Sequence, residues 1–229
     1  MKARLRRLLF LLSVALIAAF SILPFLWFIA TSLKTQMEIT AIPPTLLPSF
    51  SLDFYRSALD DYHLLHYLKN SVIVAGAATA GTIGISLFAG YALARIPLRH
   101  KPLIMGSLLL VAMFPQISIA GPVWQILAAL GWLNSYQGLI LPYITLSLPL
   151  GVWIMTGFFR ELPQELEDAA RVDGCGHLQT LFRIIIPLAA PGVFTAAILV
   201  FIYAWNEFFF ALLIMTQRPY QTLPVGIAL

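Results

Sequence analysis

The sequence predicts an all-α protein, a polytopic bundle of helices that cross a membrane. The chain has 229 residues, of which 60% are hydrophobic and only 10% are charged, and its mean hydropathy is +0.87. An average soluble domain carries about 25% charged residues, so this chain could not cover a globular surface with polar groups. A soluble enzyme, a disordered chain and a fibrous protein are therefore excluded.

The charged residues divide the chain into long uncharged runs. These contain 26, 25, 58 and 23 residues, and they lie at 8–33, 70–94, 102–159 and 184–206. A helix needs about 20 residues to cross the hydrocarbon core, and backbone groups in lipid must be paired within the segment. The longest run is divided around Gly121-Pro122 and residues 134–138. We therefore predict five helical spans, at about 8–32, 70–94, 102–120, 139–159 and 188–214.

The distribution of Lys and Arg predicts the orientation, because cytoplasmic loops are enriched in both. The apolar run that ends at Leu33 is too long for a secretory signal and indicates an uncleaved first span. With the N-terminus in the cytoplasm, four basic residues lie outside: Lys34, Arg56, Lys69 and Arg218. Ten lie inside: Lys2, Arg4, Arg6, Arg7, Arg95, Arg99, Lys101, Arg160, Arg171 and Arg183.

We expect a single transmembrane domain over residues 1–229, with two long segments outside the spans. Residues 34–69 form an extracytoplasmic loop. Residues 160–187 form a cytoplasmic loop that holds five of the ten acidic residues. A polar loop of this length between two membrane helices is usually functional.

The cytoplasmic loop is predicted to contain a short helix at the membrane surface. Pro163 suits a first helical turn, the acidic residues that follow suit the positive helix end, and Gly174 supplies a stop. Leu166, Ala169, Ala170 and Asp173 could form one small-sided strip that enters a groove of a partner. An ordinary surface helix that connects two spans remains an equally open interpretation.

Polar residues within the last span are a second candidate site. Tyr203, Trp205, Asn206 and Glu207 follow one another closely in an otherwise apolar segment. An ionisable residue in a span usually faces a protein interior or a watery cavity. Glu207 could instead lie at the outer interface, beside Trp205 in an aromatic belt. Both interpretations stay open.

Enzymatic and metal signatures are weak. The segment Gly76–Thr82 lacks the Lys of a phosphate-binding loop, and its small residues every four positions favour close helix packing. His63 and His66 lack the accompanying carboxylates of a metal site, and nothing near Cys175 completes one. We predict no catalytic residue and no metal site.

The cytoplasmic loop resembles the EAA motif of ATP-binding cassette importer permeases, with the pattern E-A-A-x3-G-x9-I-x-L-P. Asp168-Ala169-Ala170, Gly174, Ile184, Ile186 and Pro187 match it with each gap intact. Asp168 replaces Glu and Ile186 replaces Leu, and both changes keep the chemical character.

Other segments are similar to the carbohydrate-uptake branch of these permeases, of the maltose-permease type. They are Asn70-Ser71, Tyr91–Arg95, Trp205–Phe208 and Thr222–Gly226. The resemblance covers nearly the whole chain, and the EAA spacing is its most specific part.

The resemblance implies a pore-forming, non-catalytic permease of a sugar importer in the cell membrane (the inner membrane where there are two), surrounded by lipid. Its expected partners are a second permease in a heterodimer, two cytoplasmic ATP-binding subunits that hold ATP and Mg²⁺, and an extracytoplasmic sugar-binding protein. No cofactor is expected on this chain and no nucleic acid. Because such permeases usually have six spans, we also expect a sixth after Leu229.

The resemblance also assigns residues to roles. ATPase coupling is expected at Glu165, Glu167, Asp168, Ala169, Ala170, Asp173, Gly174 and Pro187, and the substrate pathway at Tyr203, Trp205, Asn206 and Glu207. Two other classes are weighed against the importer, an intramembrane lipid-modifying enzyme and a membrane scaffold. A lipid-modifying enzyme would need a cluster of Asp, His or Ser near a membrane face, and the acidic cluster of this chain is the EAA loop.

Overall fold

A computed structural model describes residues 2–60 and 62–229. The predicted domain of residues 1–229 thus includes positions 1 and 61, which lie outside the described residues. The protein is all-α, with no strand in the described part, as the sequence predicts. Its helices are α1 (Lys2–Ser32), α2 (Gln36–Thr40), α3 (Asp53–Asp60), α4 (Leu64–Arg95), α5 (Lys101–Met113), α6 (Gln116–Ala129), α7 (Tyr136–Glu161), α8 (Glu165–Val172), α9 (His177–Thr180), a π-helical turn (Leu181–Ile185), α10 (Ile186–Leu188), α11 (Ala190–Asn206), α12 (Phe209–Ile214), a 3₁₀ turn (Arg218–Tyr220) and α13 (Leu223–Ala228).

The chain divides into two compact units, residues 1–63 and 64–229. In the first, the segment after α1 folds back on the end of that helix. The Lys34 ammonium is buried, where it donates to the Thr45 carbonyl at 2.6 Å and lies 4.6 Å from the centre of the Trp27 ring. Thr35 and Glu38 form a capping box that starts α2.

Three helices are long and apolar enough to cross a membrane, and they confirm the helices predicted at 8–32, 70–94 and 139–159. They are Arg4–Ser32, Leu64–Arg95 and Tyr136–Glu161. Two bent pairs, α5 with α6 and residues 177–188 with α11, also qualify when each pair is taken together. The described residues thus provide three spans, or up to five.

The helix predicted at 102–120 is wrong as a single straight element. The chain bends by 90° between α5 and α6, at Phe114-Pro115. Proline has no N–H to donate and disfavours a helical residue before it, and Phe114 is extended with ψ 132°. The predicted break at Gly121-Pro122 is wrong too, because α6 continues through Pro122 to Ala129.

The helix predicted at 188–214 is also interrupted. It begins after a 78° bend at Ala189 and stops at Asn206, where Glu207 is extended with ψ 121°. A separate helix, α12, resumes at Phe209. Hydrophobicity could not reveal this break, because the residues on both sides of it are equally apolar.

Helix α4 is central to the second unit and packs against α7 and α11. Small residues allow the close approach: a Cβ atom on Gly90 would lie 2.8 Å from the Met155 Cβ, and one on Gly81 would lie 2.6 Å from Ile144 Cδ1. Gly76 and Gly84 face open space, so the predicted small-residue packing holds at Gly81 but not along the whole strip.

Candidate functional site

Helix α8 forms the middle of the cytoplasmic loop predicted from the sequence. It begins at Glu165, two residues after Pro163, and three acidic residues in its first turn complement the positive end of the helix dipole. Its last residue is Val172. Gly174 follows with φ +80°, the left-handed conformation that favours glycine, and the Cys175 N–H donates to the Ala170 carbonyl at 2.9 Å. The predicted stop is confirmed.

The two sides of α8 differ in exposure. Glu167 and Ala170 are buried, with 3% and 2% of their surfaces exposed. The remaining residues assigned to ATPase coupling on this segment are exposed: Glu165, Asp168, Ala169, Asp173 and Gly174. The strip predicted from Leu166, Ala169, Ala170 and Asp173 is therefore divided. Ala170 packs against its own chain, whereas Ala169 and Asp173 are free to meet a partner.

The buried Glu167 carboxylate is held by the last turn of α4. Its Oε1 lies 2.6 Å from Arg95 Nε, and its Oε2 accepts a hydrogen bond of 3.0 Å from the Tyr91 hydroxyl. The Arg95 Nε–H is not aligned with the oxygen, so this contact is an ion pair and not a directed hydrogen bond. Arg95 Nη2 also donates to the Leu162 carbonyl at 2.7 Å. Two residues of α4 thus fix the start of α8.

Pro187 completes the motif beyond α8. It is exposed and lies in α10, two residues before the bend at Ala189. Ile185, two residues earlier, is fully buried. The motif therefore extends from an exposed helix to the point where the chain turns into the bundle.

The break between α11 and α12 brings together the second group of predicted residues. The Glu207 carboxylate is buried at the start of α12, where Oε1 accepts from the Phe210 N–H at 2.9 Å and Oε2 from the Ala211 N–H at 3.2 Å. The Tyr143 hydroxyl of α7 donates to Oε2 at 2.5 Å. A helix N-terminus is a favourable place for an anion. Glu207 is neither in an exposed belt nor free, because its oxygens are already hydrogen-bonded.

The other residues of this group present more accessible polar and aromatic surface. Asn206 is exposed and donates to the Ile202 carbonyl at 2.8 Å, which leaves its side-chain oxygen free of any hydrogen bond in the described residues. Trp205 stacks on Phe201 with ring centres 5.5 Å apart. The Tyr203 hydroxyl accepts from Gln116 Nε2 at 2.7 Å. Because Gln116 starts α6, the two interrupted helices meet at this bond.

Comparison with known proteins identifies the family. The family model described as "Binding-protein-dependent transport system inner membrane component" matches residues 83–228. This chain belongs to that family. It is 42% identical to the trehalose/maltose transport system permease protein of Thermococcus litoralis, over 98% of this chain and 81% of that protein. It is 45% identical to the sulfoquinovosyl glycerol transport system permease protein of Agrobacterium fabrum, over 90% and 73%.

A solved structure has the same fold. The chain superimposes on a bacterial ABC transporter involved in the import of the acidic polysaccharide alginate, with a TM-score of 0.81. The match covers 100% of this chain and 80% of that one, at 20% identity. The protein is therefore a membrane component of a multi-part transport system, as the EAA resemblance indicates.

Sequence reasoning missed four residues of these two regions: Tyr91, Arg95, Gln116 and Tyr143. A signal existed for the first two, because residues four apart share one face of a helix and Arg95 is the single charge at the end of a long apolar run. Gln116 is marked only by being an amide among apolar neighbours. Nothing in the sequence pairs Tyr143 with Glu207, which is 64 residues away.

Proposed function

We propose that this chain is the pore-forming permease subunit of an ATP-driven, binding-protein-dependent sugar importer. The observation that carries the proposal is the exposed face of α8, where Asp168, Ala169 and Gly174 keep the EAA spacing while Glu167 and Ala170 are buried beneath them. The sugar assignment is supported by relatives named for trehalose, maltose and sulfoquinovosyl glycerol transport.

In this proposal each bent pair counts as one span, so five spans start from a cytoplasmic N-terminus. Residues 34–69 lie outside the cell membrane and α8 lies inside. The chain is a single permease domain without catalytic residues, and it forms a heterodimer with a second permease. ATP and Mg²⁺ are bound and ATP is hydrolysed on two separate cytoplasmic subunits, while an extracytoplasmic binding protein delivers the sugar.

Coupling would occur through the exposed face of α8. A short helix with small side chains fits a groove on a partner, because a methyl group leaves room for close backbone approach. When the ATP-binding subunits close, the groove would carry α8 with it. The spans would then alternate between inward-facing and outward-facing states around the substrate.

The substrate pathway would pass the break between α11 and α12. Asn206 offers a free side-chain oxygen to a sugar hydroxyl, and Trp205 and Tyr203 offer the ring faces and the hydroxyl that suit a sugar. Glu207 would contribute to this pathway by fixing the break, since its carboxylate is hydrogen-bonded to Tyr143 and to the start of α12.

The experiment is to replace Ala169 by Asp in the complete transporter. Ala169 is exposed, so the variant should reach the membrane in normal amount, but the added charge should prevent docking of the ATP-binding subunits. The control is Asp168→Glu on the same exposed face, which restores the family residue and should leave docking intact. Co-purification of the ATP-binding subunits and sugar uptake are measured. Normal docking and uptake with Ala169→Asp would contradict the proposal.

A further inference from the structure

We propose that Arg95 is a positioning residue for ATP coupling: its buried ion pair with Glu167, completed by Tyr91, passes the movement of α8 to α4. This inference rests on the proposed function, since it assumes that α8 meets the ATP-binding subunits. It adds two residues outside the EAA motif, Arg95 and Tyr91, and it divides the motif into a docking side and an anchoring side.

Burial distinguishes this ion pair from the other one on the same helix. The side chains of Arg95 and Glu167 are 12% and 4% exposed, whereas those of Arg171 and Asp168 are 54% and 60% exposed at 3.2 Å. Exposed ion pairs contribute little because water and salt screen them. A buried charge that loses its partner is left uncompensated, which is strongly unfavourable. The buried pair should therefore stay closed while α8 moves.

The contacts tie α8 to α4 at more than one point. Arg95 binds Glu167 within α8 and also donates to the Leu162 carbonyl before α8 begins. Tyr91, one turn earlier on α4, donates to the second oxygen of Glu167. Contacts on both sides of the start of α8 restrict its tilt as well as its distance from α4. A force applied to the exposed face of α8 thus acts on the end of α4.

Helix α4 can carry that force across the second unit. Its 32 residues span about 48 Å at the usual rise per residue. At its other end Asn70 is fully buried and donates to the carbonyls of Pro219 and Gln221, at 3.0 and 2.8 Å. Asn70 also accepts from the Tyr136 hydroxyl of α7 at 2.7 Å. Both ends of α4 are therefore held by polar contacts, one to α8 and one to the opposite side of the bundle.

The ratio of sugar uptake to ATP hydrolysis separates a coupling role from a merely structural one. A structural role would lower the amount of folded transporter, so uptake and hydrolysis would fall together and their ratio would not change. Loss of the connection to α4 would leave the docking face of α8 intact. Hydrolysis would then continue while uptake falls.

The test uses the complete transporter in proteoliposomes, with Arg95→Gln, Glu167→Gln and the double variant. We expect the ratio to fall at least about tenfold in each single variant, with no further fall in the double variant because the two residues act as one unit. The ATP-binding subunits should still co-purify. The matched controls are Asp168→Asn and Arg171→Gln, which remove the exposed ion pair of α8 and should change the ratio by less than about twofold.

An unchanged ratio in both single variants, or an equal fall in the controls, would overturn the inference. Should either single variant fail to reach the membrane, Tyr91→Phe and Arg95→Lys make smaller changes, and a normal ratio in both would overturn it as well. Ala169→Asp keeps the two proposals distinguishable. Normal docking in that variant contradicts the proposed function, whereas lost docking together with a normal ratio in Arg95→Gln contradicts this inference alone.

Discussion

Two buried glutamates, Glu167 in α8 and Glu207 at the start of α12, are stabilised in different ways. Glu167 is 3% exposed and faces the guanidinium of Arg95, on a helix 72 positions earlier in the chain. Glu207 is 8% exposed and accepts two backbone N–H groups of its own next helix, together with the Tyr143 hydroxyl. One carboxylate joins two distant elements by charge, and the other is bound mainly by adjacent backbone.

This difference matches what each region must do. A cation on another helix makes Glu167 a connection between α8 and α4, so the two elements move together. Backbone N–H groups make Glu207 a local cap that holds α11 and α12 apart as separate helices. Removing Glu207 should therefore affect mainly the fold, while removing Glu167 should affect mainly coupling.

The largest effect is expected from Glu207→Ala. The variant leaves the Tyr143 hydroxyl and the N–H groups of Phe210 and Ala211 without their acceptor, at about 1–3 kcal/mol for each unpaired group. We expect a strong loss of thermal stability in detergent and low abundance in the membrane. Glu207→Gln keeps one acceptor oxygen and should lose less. A stable, abundant Ala variant would show that these groups find other partners.

Gly174→Val should have the next largest effect. Its φ of +80° strains any β-branched side chain, at a cost of about 1–3 kcal/mol. Relief of that strain would displace the end of α8 and weaken binding of the ATP-binding subunits. Gly176→Val is the matched control, because Gly176 has φ −73° and nothing lies within 4 Å of a Cβ atom there. Equal co-purification of the ATP-binding subunits with both variants would contradict this expectation.

A smaller effect is expected from Asn206→Leu. The change removes one side-chain oxygen that we propose contacts the sugar, which corresponds to about 1 kcal/mol or roughly fivefold in uptake at low sugar concentration. Assembly should be unaffected, because Asn206 is exposed and its hydrogen bond is to its own helix. Uptake is measured over a range of sugar concentrations. Unchanged uptake throughout would favour an interfacial role for this residue.

The smallest effect concerns an exposed carboxylate, Glu38. The Thr35 backbone N–H and the Ser49 hydroxyl donate to it, and these hydrogen bonds lower its pKa below the ordinary value. Because the pKa is lower in the folded state, its stabilising contribution is present above the unfolded pKa and is lost as the pH falls through the folded pKa. Acid should loosen α2, as seen by faster amide exchange at Ile39. Glu38→Gln should remove this pH dependence.

The sequence predicts the class of fold and one of the two candidate regions well. Hydropathy and helix length are summed over many residues, so the helices at 8–32, 70–94 and 139–159 follow from composition alone. The stop of α8 follows from one residue, Gly174, because its backbone preference is local. Family membership follows from the EAA spacing, which is also local.

What composition could not supply is where an apolar run is interrupted and which side of α8 is buried. The bends at Phe114-Pro115 and Ala189 and the break at Glu207 depend on which backbone groups find partners elsewhere, and hydrophobicity does not record that. Pro122 remains inside α6, so a proline alone does not mark the break.

By itself, the sequence determined that this chain is helical, suited to a membrane and a member of a transport-system family, because those properties depend on composition and on short spacings along the chain. Only the tertiary structure decided that Glu167 is bound to Arg95 and Glu207 to Tyr143. Those pairs join residues 72 and 64 positions apart. The physical reason is that a buried charge takes whichever partner the packing of helices brings within reach, and that partner is set by the crossing of α4, α7 and α8, not by the neighbours of the glutamate in the sequence.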